Sequence, residues 1–307
     1  MNGILVINKD LGYTSRDIVN IISKKFNTKK VGHIGTLDPL ASGVLVLCIG
    51  KALKVCELLT NHDKEYIAGI TLGIKTDTLD MDGVILKEEK VNISEKEIRF
   101  VVNSFKKKYM QEVPLYSAVK VNGRKLYEYA RSNMPVVLPK KEVEIKDISI
   151  LDGIKYEDGK VYFKIKCTVS KGTYIRSLVR DIGDSLKVAA VMNSLVRTRI
   201  DNFTIYDSYT LQDIENDNYK LISIVDALPN IPRIKVSDEM ANKIKNGVIM
   251  DKFFDSDMAF IFDKDNNLIA LYRNIDNKSR AYKMFLWVLF YSYISILWYN
   301  IYESWGE

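Results

Sequence analysis

The sequence predicts a mixed α+β protein in which a large unit of irregularly ordered strands and helices precedes a small β-rich module. Three observations predict it. Short apolar or alternating runs with the strand period recur along the first two-thirds of the chain. Helical-period segments with N-cap signals stand between them, without a regular βαβ alternation. A Pro-containing connector at residues 229–232 then leads into strand-like segments around one short helix near residues 240–245.

In chain order, residues 3–7 form an apolar run that reads as a strand. Thr14 with Asp17 three residues on, ahead of Ile18, Ile21 and Ile22, is a capping-box start for a helix. Residues 31–43 are punctuated by Gly and Pro and read as a loop, and residues 44–49 as a buried strand. Residues 52–59 read as helix and residues 66–72 as strand. Ser94 caps a helix predicted over residues 95–107, whose Ile98, Val101, Val102 and Phe105 share one face. Asn122-Gly123 signals a hairpin. Residues 143–150 and 161–169 read as strands, and residues 174–186 as a helix with Thr173 as its cap.

The 307 residues carry 45 Lys and Arg against 39 Asp and Glu, a formal charge of +6. That mild excess permits a polyanionic partner without demanding one. Cys48, Cys56 and Cys167 form no CxxC pair, and the first nine residues lack the pattern of a secretory leader. The expectation is a reduced, cytoplasmic protein. With His33 and His62 the only histidines, no metal site is expected.

The segment richest in chemistry is Gly32-His33-Ile34-Gly35-Thr36-Leu37-Asp38-Pro39-Leu40-Ala41-Ser42-Gly43. Its glycines let the backbone approach a ligand, and Pro39 biases Asp38 to an extended conformation that limits where its carboxylate points. By itself, a turn Asp-Pro is the commoner reading.

The segment resembles the GHTGTLDPxASGxL motif of the bacterial TruB-type tRNA pseudouridine-55 synthases. The likeness continues in family order through residues 2 to 205. It includes Lys9 with Gly12, Thr14 and Ser15; Asp63-Lys64-Glu65-Tyr66; Gly73 with Thr76, Asp77, Thr78, Asp80, Asp82 and Gly83; and Pro114, Tyr116, Ser117, Ala118 and Lys120. Ser170-Lys171-Gly172-Thr173-Tyr174-Ile175-Arg176 and Leu195-Val196-Arg197-Thr198 close the series. The resemblance implies a mainly antiparallel central sheet flanked by helices over residues 1–230, the pseudouridine synthase fold. It also implies a PUA-like RNA-binding module over residues 231–284.

The implied activity is conversion of a T-loop uridine of tRNA to pseudouridine, with no cofactor, by a monomer. Asp38 is the implied nucleophile, Tyr66 the aromatic that stacks on the target uracil, and Arg176 the partner of the catalytic carboxylate. Tyr174 and Leu195 are implied pocket walls. Gly35 and Thr36 lie in the catalytic loop, His33 is the residue that enters the T-loop, and Lys9 is a structural or phosphate-directed cation. Read without the resemblance, Tyr66 is a core strand aromatic, Arg176 a solvated first-turn residue and His33 a loop histidine.

Basic groups at Lys24-Lys25, Lys29-Lys30, Lys106 to Lys108, Lys140-Lys141 and Arg197 with Arg199 offer phosphate contacts in aggregate. The sequence departs from the family pattern at Ile34, where Thr is usual, at Asp10, where Pro is usual, and at residues 187–190, where a Gly-containing stretch is usual. Residues 285–302 are free of charge, at the lower edge of membrane-spanning length, with Ser292, Ser295 and Asn300 diluting them. They are taken as an atypical tail over residues 285–307, and a membrane contact is not expected. Two rival functions stay open at this point: a tRNA-binding or folding protein without turnover, and a hydrolase pairing Asp38 with Asp80 or Asp82.

Overall fold

The computed structural model describes residues 1–60 and 62–286. The chain divides after Leu221 into two compact units, a division that lies ahead of the Pro-containing connector.

The first unit is built on one twisted sheet. Its strands are β1 (Gly3–Lys9), β2 (Val31–Ile34), β3 (Ala41–Ile49), β4 (Lys64–Leu72), β7 (Lys108–Glu112), β10 (Lys140–Glu157), β11 (Lys160–Val169), β12 (Ala190–Ile200) and β13 (Phe203–Thr204). Two small hairpins, β5 (Ile74–Thr76) with β6 (Ile85–Glu88) and β8 (Lys120–Val121) with β9 (Arg124–Lys125), sit outside it. The order across the sheet is β1-β3-β12-β4-β11-β10-β7. Every pairing in it is antiparallel except β3 with β12, which run parallel through Ala41, Ser42 and Gly43. The expected mixed, mainly antiparallel sheet is present.

The helices are α1 (Ser15–Lys25), α2 (Cys56–Thr60), α3 (Glu95–Ser104), α4 (Leu126–Arg131), α5 (Ile175–Leu186) and α6 (Leu211–Glu215). The predicted capping box of Thr14 with Asp17 forms, and Ser94, predicted as a cap, completes a second box with Glu97. Ile18, Val19 and Ile22 of α1, Ile98 and Val102 of α3, and Leu178, Val179 and Ile182 of α5 pack into the same core as Leu45, Leu47, Ala68 and Ile70 of the sheet. Each such fully buried aliphatic side chain contributes roughly 1.5–3 kcal/mol, so the three helix faces are what fix the helices to the sheet.

Several expectations are corrected. Residues 31–43 are not one loop: Val31–Ile34 is a strand paired with β3, and Ala41 already belongs to β3, which leaves only residues 35–40 between them. Residues 50–55 form a 3₁₀ turn before the short α2. Helix α3 ends at Ser104, with Phe105 as its cap. Helix α5 is capped by Tyr174, not Thr173, whose hydroxyl instead donates to the Ser170 carbonyl (2.9 Å). At its other end Lys187 takes the left-handed conformation (φ 60°) that glycine usually supplies, so the helix stops without the family's glycine. Ile34 is buried in the core, paired with Val46.

Gly43 belongs to β3 where β1 and β12 flank it on opposite edges, opposite Lys9 and Arg197. Its φ is +98°, and a Cβ there would lie 2.2 Å from the Arg197 carbonyl oxygen. Gly43→Ala is therefore expected to destabilise the unit by roughly 2–4 kcal/mol, since backbone and not a pliable side chain blocks the methyl. Urea denaturation checks this; an unchanged midpoint would contradict the close approach.

The second unit, from Ile222, holds α7 (Asp238–Lys245) and a five-stranded sheet of β14 (Arg233–Lys235), β15 (Met250–Asp251), β16 (Met258–Phe262), β17 (Leu268–Ile275) and β18 (Lys278–Met284) in the order β14-β16-β17-β18-β15. Its core joins Ala241 and Ile244 of α7 to Ile261, Ile269 and Tyr272. The β-rich character expected for this region is present. Among the described residues no helix is long and apolar enough to cross a membrane. The apolar run at residues 285–302 falls, from residue 287 onward, outside the described residues.

Candidate active site

The loop of residues 35–40 is held on two sides. Arg197, wholly buried on β12, donates from Nη2 to the Gly35 carbonyl (2.8 Å), from Nη1 to that of Thr36 (3.3 Å) and from Nε to that of Val44 (2.8 Å). From the opposite side Ser15, at the start of α1, accepts from the Leu37 N–H (2.8 Å) and donates to the Leu37 carbonyl (3.1 Å). The Gly12 N–H reaches the Pro39 carbonyl (2.9 Å). A loop whose carbonyls and amides are matched from both sides presents its side chains in one fixed arrangement.

Asp38 is presented in that way. Its Oδ2 lies 3.0 Å from Nη2 of Arg176, and its side chain stays 43% exposed. Among the described residues nothing donates to Oδ1, so one carboxylate oxygen is anchored and the other is available. Arg176, in the first turn of α5, is buried. Its guanidinium also meets Asp80 Oδ2 (3.2 Å) and the carbonyls of Thr78 (3.0 Å) and Tyr116 (3.0 Å). A planar fork with four acceptors around it cannot swing, which fixes the direction of the bond to Asp38.

Asp38, Tyr66 and Arg176 converge on a single cavity of about 410 Å³, whose walls also include Thr36, Tyr174 and Leu195. Tyr66 reaches it from β4 and Leu195 from β12. Both are mostly buried, as a pocket wall requires. Tyr174 stands at the start of α5 with its backbone clamped by the buried Gln111, whose amide accepts from the Tyr174 N–H (2.8 Å) and donates to its carbonyl (3.2 Å). Burial pushes the Tyr174 phenol above its ordinary pKa. A volume of this order admits a pyrimidine ring, and it combines aromatic walls with one accessible carboxylate.

The remaining expected site residues lie outside the cavity wall. His33, on β2, is half-buried with Nε2 3.3 Å from the Thr36 hydroxyl, and burial together with Arg16 and Arg197 lowers its pKa, favouring the neutral ring. Gly35 is the loop's first residue, with φ +68°, and Arg197 and Lys64 crowd it. Lys9 is wholly buried, and its ammonium donates to the carbonyls of Asp10 (2.9 Å) and Tyr13 (2.7 Å). It braces the turn before α1 and is not aimed at a ligand. Arg197 is likewise no phosphate contact, because it is inside the sheet.

The sequence gives no special place to Ser15 or Gln111, and it offers Asp80 only as an acid that a rival hydrolase would pair with Asp38. Asp80 is buried, accepts from the Thr78 hydroxyl (2.6 Å) and shares Arg176 with Asp38. An acid held in this way is not free to pair with Asp38 as a hydrolytic carboxylate. The alternation of Thr and Asp at residues 76–80 is the only local hint of that role. Among the described residues no group of His, Cys, Asp and Glu is arranged to hold a metal ion.

Beside the loop, Lys64 is mostly buried and donates to the His62 carbonyl (3.0 Å). Burial first, then the charges of Arg197, Lys171 and Lys141, push its pKa down to about 8. Its ordinary value is higher, so between about pH 8 and pH 10.5 the unfolded chain binds the extra proton. Stability should therefore rise with pH across that window, by an amount on the order of 3 kcal/mol for this residue. Lys64→Met is expected to remove that rise. Urea titrations of both proteins at pH 7.5 and 9.5 check it; equal pH slopes in the two would contradict the burial of a charged Lys64.

A model of the TruB family pseudouridylate synthase N-terminal domain matches residues 23–175, and one of the tRNA pseudouridylate synthase B C-terminal domain matches residues 176–225. The tRNA pseudouridine synthase B of Bacillus subtilis is 39% identical over 286 residues, covering 89% of this chain and 93% of its own. The chain belongs to the TruB family of pseudouridine synthases. The tRNA pseudouridine synthase B of Clostridium tetani is 40% identical over 274 residues, 86% of this chain and 93% of that one. In fold, the TruB-family chain also resembles a solved H/ACA RNP bound to a substrate RNA containing 2'-deoxyuridine, with TM-score 0.65 and 24% identity over 92% of this chain and 85% of that one.

Proposed function

We propose that the protein converts uridine 55 in the T-loop of tRNA to pseudouridine, with Asp38 as nucleophile on a uridine extruded from its stack. The observation that carries this reading is the convergence of Asp38, Tyr66 and Arg176 on one cavity of pyrimidine size in a TruB-family chain. The curated relatives that are similar over most of the chain are named for action on tRNA.

In the reaction the bond between N1 and C1′ breaks, the uracil turns within the cavity, and C5 bonds to C1′. The hydrogen on C5 leaves as a proton, and N1 gains one. Atoms and electrons balance without a redox partner or group donor. Asp38 supplies a compact anion that holds the fragment in a covalent or ion-paired intermediate while the base turns. Arg176 keeps that anion aimed, the Tyr66 ring stacks on the extruded base, and its phenol takes part in moving the C5 proton. Water is kept from the intermediate by the aromatic and aliphatic walls at Tyr66, Tyr174 and Leu195.

Phosphate contacts fall to the exposed lysines. Lys24, Lys25, Lys29, Lys30, Lys106, Lys107, Lys108, Lys140 and Lys141 all reach solvent, and Lys141 lies against Gly172 in the loop that leads to Tyr174. The β-rich second unit is proposed as a PUA-like RNA-binding module, and the enzyme as a cytoplasmic monomer whose catalytic groups all come from one chain. His33 is proposed to enter the opened T-loop beside the cavity, where a neutral ring replaces lost stacking.

Incubation with an unmodified tRNA transcript, followed by base-specific mapping of pseudouridine, tests the reading. Product at the T-loop uridine alone is expected. Product elsewhere in the tRNA, or none, would overturn the assignment of substrate position.

A further inference from the structure

One side chain in the cavity wall has no task in the mechanism above. Ser117 stands in the turn before β8 and lines the cavity together with Asp38, Tyr66 and Arg176. It is 8% exposed, and its Oγ is the only buried side-chain polar atom among the described residues without a hydrogen-bond partner. Buried hydroxyls are normally satisfied, most often by nearby backbone, so an orphan needs a reason.

The backbone leaves the residue no freedom to seek a partner elsewhere. The Ser117 N–H donates to the Leu115 carbonyl (3.0 Å), and its own carbonyl accepts from the Tyr127 N–H (3.1 Å). The preceding residue is pinned as well: the Tyr116 carbonyl accepts from Arg176 (3.0 Å), and its phenol donates to Asp77 (3.0 Å). The Ser117 hydroxyl is near enough to the Tyr174 phenol to lower its pKa against the larger effect of burial, yet Oγ has no partner at hydrogen-bonding geometry. The result is a fixed hydroxyl in the wall of the site, desolvated in advance and unoccupied by protein.

We propose that Ser117 is a substrate-contacting residue whose hydroxyl hydrogen-bonds a polar atom on the edge of the extruded pyrimidine. Uracil offers two carbonyl oxygens and one N–H, and a hydroxyl can donate to the former or accept from the latter. Aromatic walls hold the faces of a base and say little about its edge; a fixed hydroxyl reads the edge. This inference rests on the uridine isomerisation proposed above.

The test measures T-loop pseudouridine formation by wild type and Ser117→Ala on transcripts carrying uridine, 2-thiouridine or 4-thiouridine at the target. Ser117→Ala is expected to lose about ten- to a hundredfold in kcat/KM while its melting temperature holds or rises, because the free protein loses no hydrogen bond. At the contacted position the thio substitution should impair wild type more than Ser117→Ala, since sulfur is the poorer acceptor. If the contact is instead with N3–H, Ser117→Cys should recover less than half of the loss.

A kcat/KM within about twofold of wild type in Ser117→Ala, at preserved melting temperature, would overturn the proposal. So would a loss that vanishes in a Tyr174→Phe background, which would mean that the hydroxyl acts by orienting the phenol. Absence of product with wild type is a different failure, and it would remove the functional reading instead.

Discussion

Arg176→Met is expected to destabilise the first unit by roughly 3–5 kcal/mol and to lower turnover at least about a hundredfold. The guanidinium is buried between two carboxylates of unequal exposure. Asp38 can turn to water when its partner is lost, but the Asp80 side chain is only 8% exposed and cannot. Its remaining donors are the Thr78 hydroxyl and the Asp82 N–H, which hydrogen-bond the carboxylate without neutralising it. The carbonyls of Thr78 and Tyr116 also lose a donor. The penalty is thus that of an uncompensated buried charge with two stranded acceptors.

That cause can be separated from the catalytic one. Adding Asp80→Asn to Arg176→Met removes the stranded charge and should recover more than half of the lost stability, as read by urea denaturation. Activity should stay low, because Asp38 still lacks the group that aims it. An Arg176→Met protein within about 1 kcal/mol of wild type would show that the buried pair with Asp80 is not what holds the helix start in place. Recovery of both stability and turnover in the double variant would show that Arg176 acts on Asp80 alone.

Much of this architecture could be read from local chemistry. Thr14 with Asp17 announced α1, because a capping box is complete within four residues, and Ser94 announced α3 as a cap ahead of apolar residues at helical spacing. Asn122-Gly123 announced the β8–β9 hairpin, where both residues take positive φ. Asp158-Gly159 makes the same kind of turn between β10 and β11 and carried the same signal. What was not legible depended on partners far along the chain. Strand β2 offers only two buried residues around Gly32 and His33, so nothing marks it as a strand until β3 lies beside it.

The site divides along the same line. Asp38, Tyr66, Arg176, Tyr174 and Leu195 were legible through the motifs that contain them, and the fold gathers them in one place. Arg197 next to Arg199 looked like a surface cation, yet its guanidinium serves three backbone carbonyls at residues 35, 36 and 44. Backbone acceptors leave no trace in a side-chain pattern. The same holds for Gln111, whose amide clamps the backbone of Tyr174, and for Asp80, whose burial is set by Arg176 from 96 positions away.

In the proposed reaction Asp38 does chemistry and does not merely shape a loop. Asp38→Asn keeps the size of the side chain, and at 43% exposure with one ion pair the loss of charge should change stability by no more than about 1 kcal/mol. Affinity for a T-arm RNA should stay within a few-fold, since binding depends on phosphate contacts elsewhere. The decisive measurement is single-turnover release of tritium from a T-arm transcript labelled at uridine C5, with Asp38→Asn at saturating protein. Loss of the C5 hydrogen reports the new carbon–carbon bond directly. Release slowed at least roughly 10⁴-fold, with binding and fold intact, is the result this account predicts. Release within tenfold of wild type would contradict it.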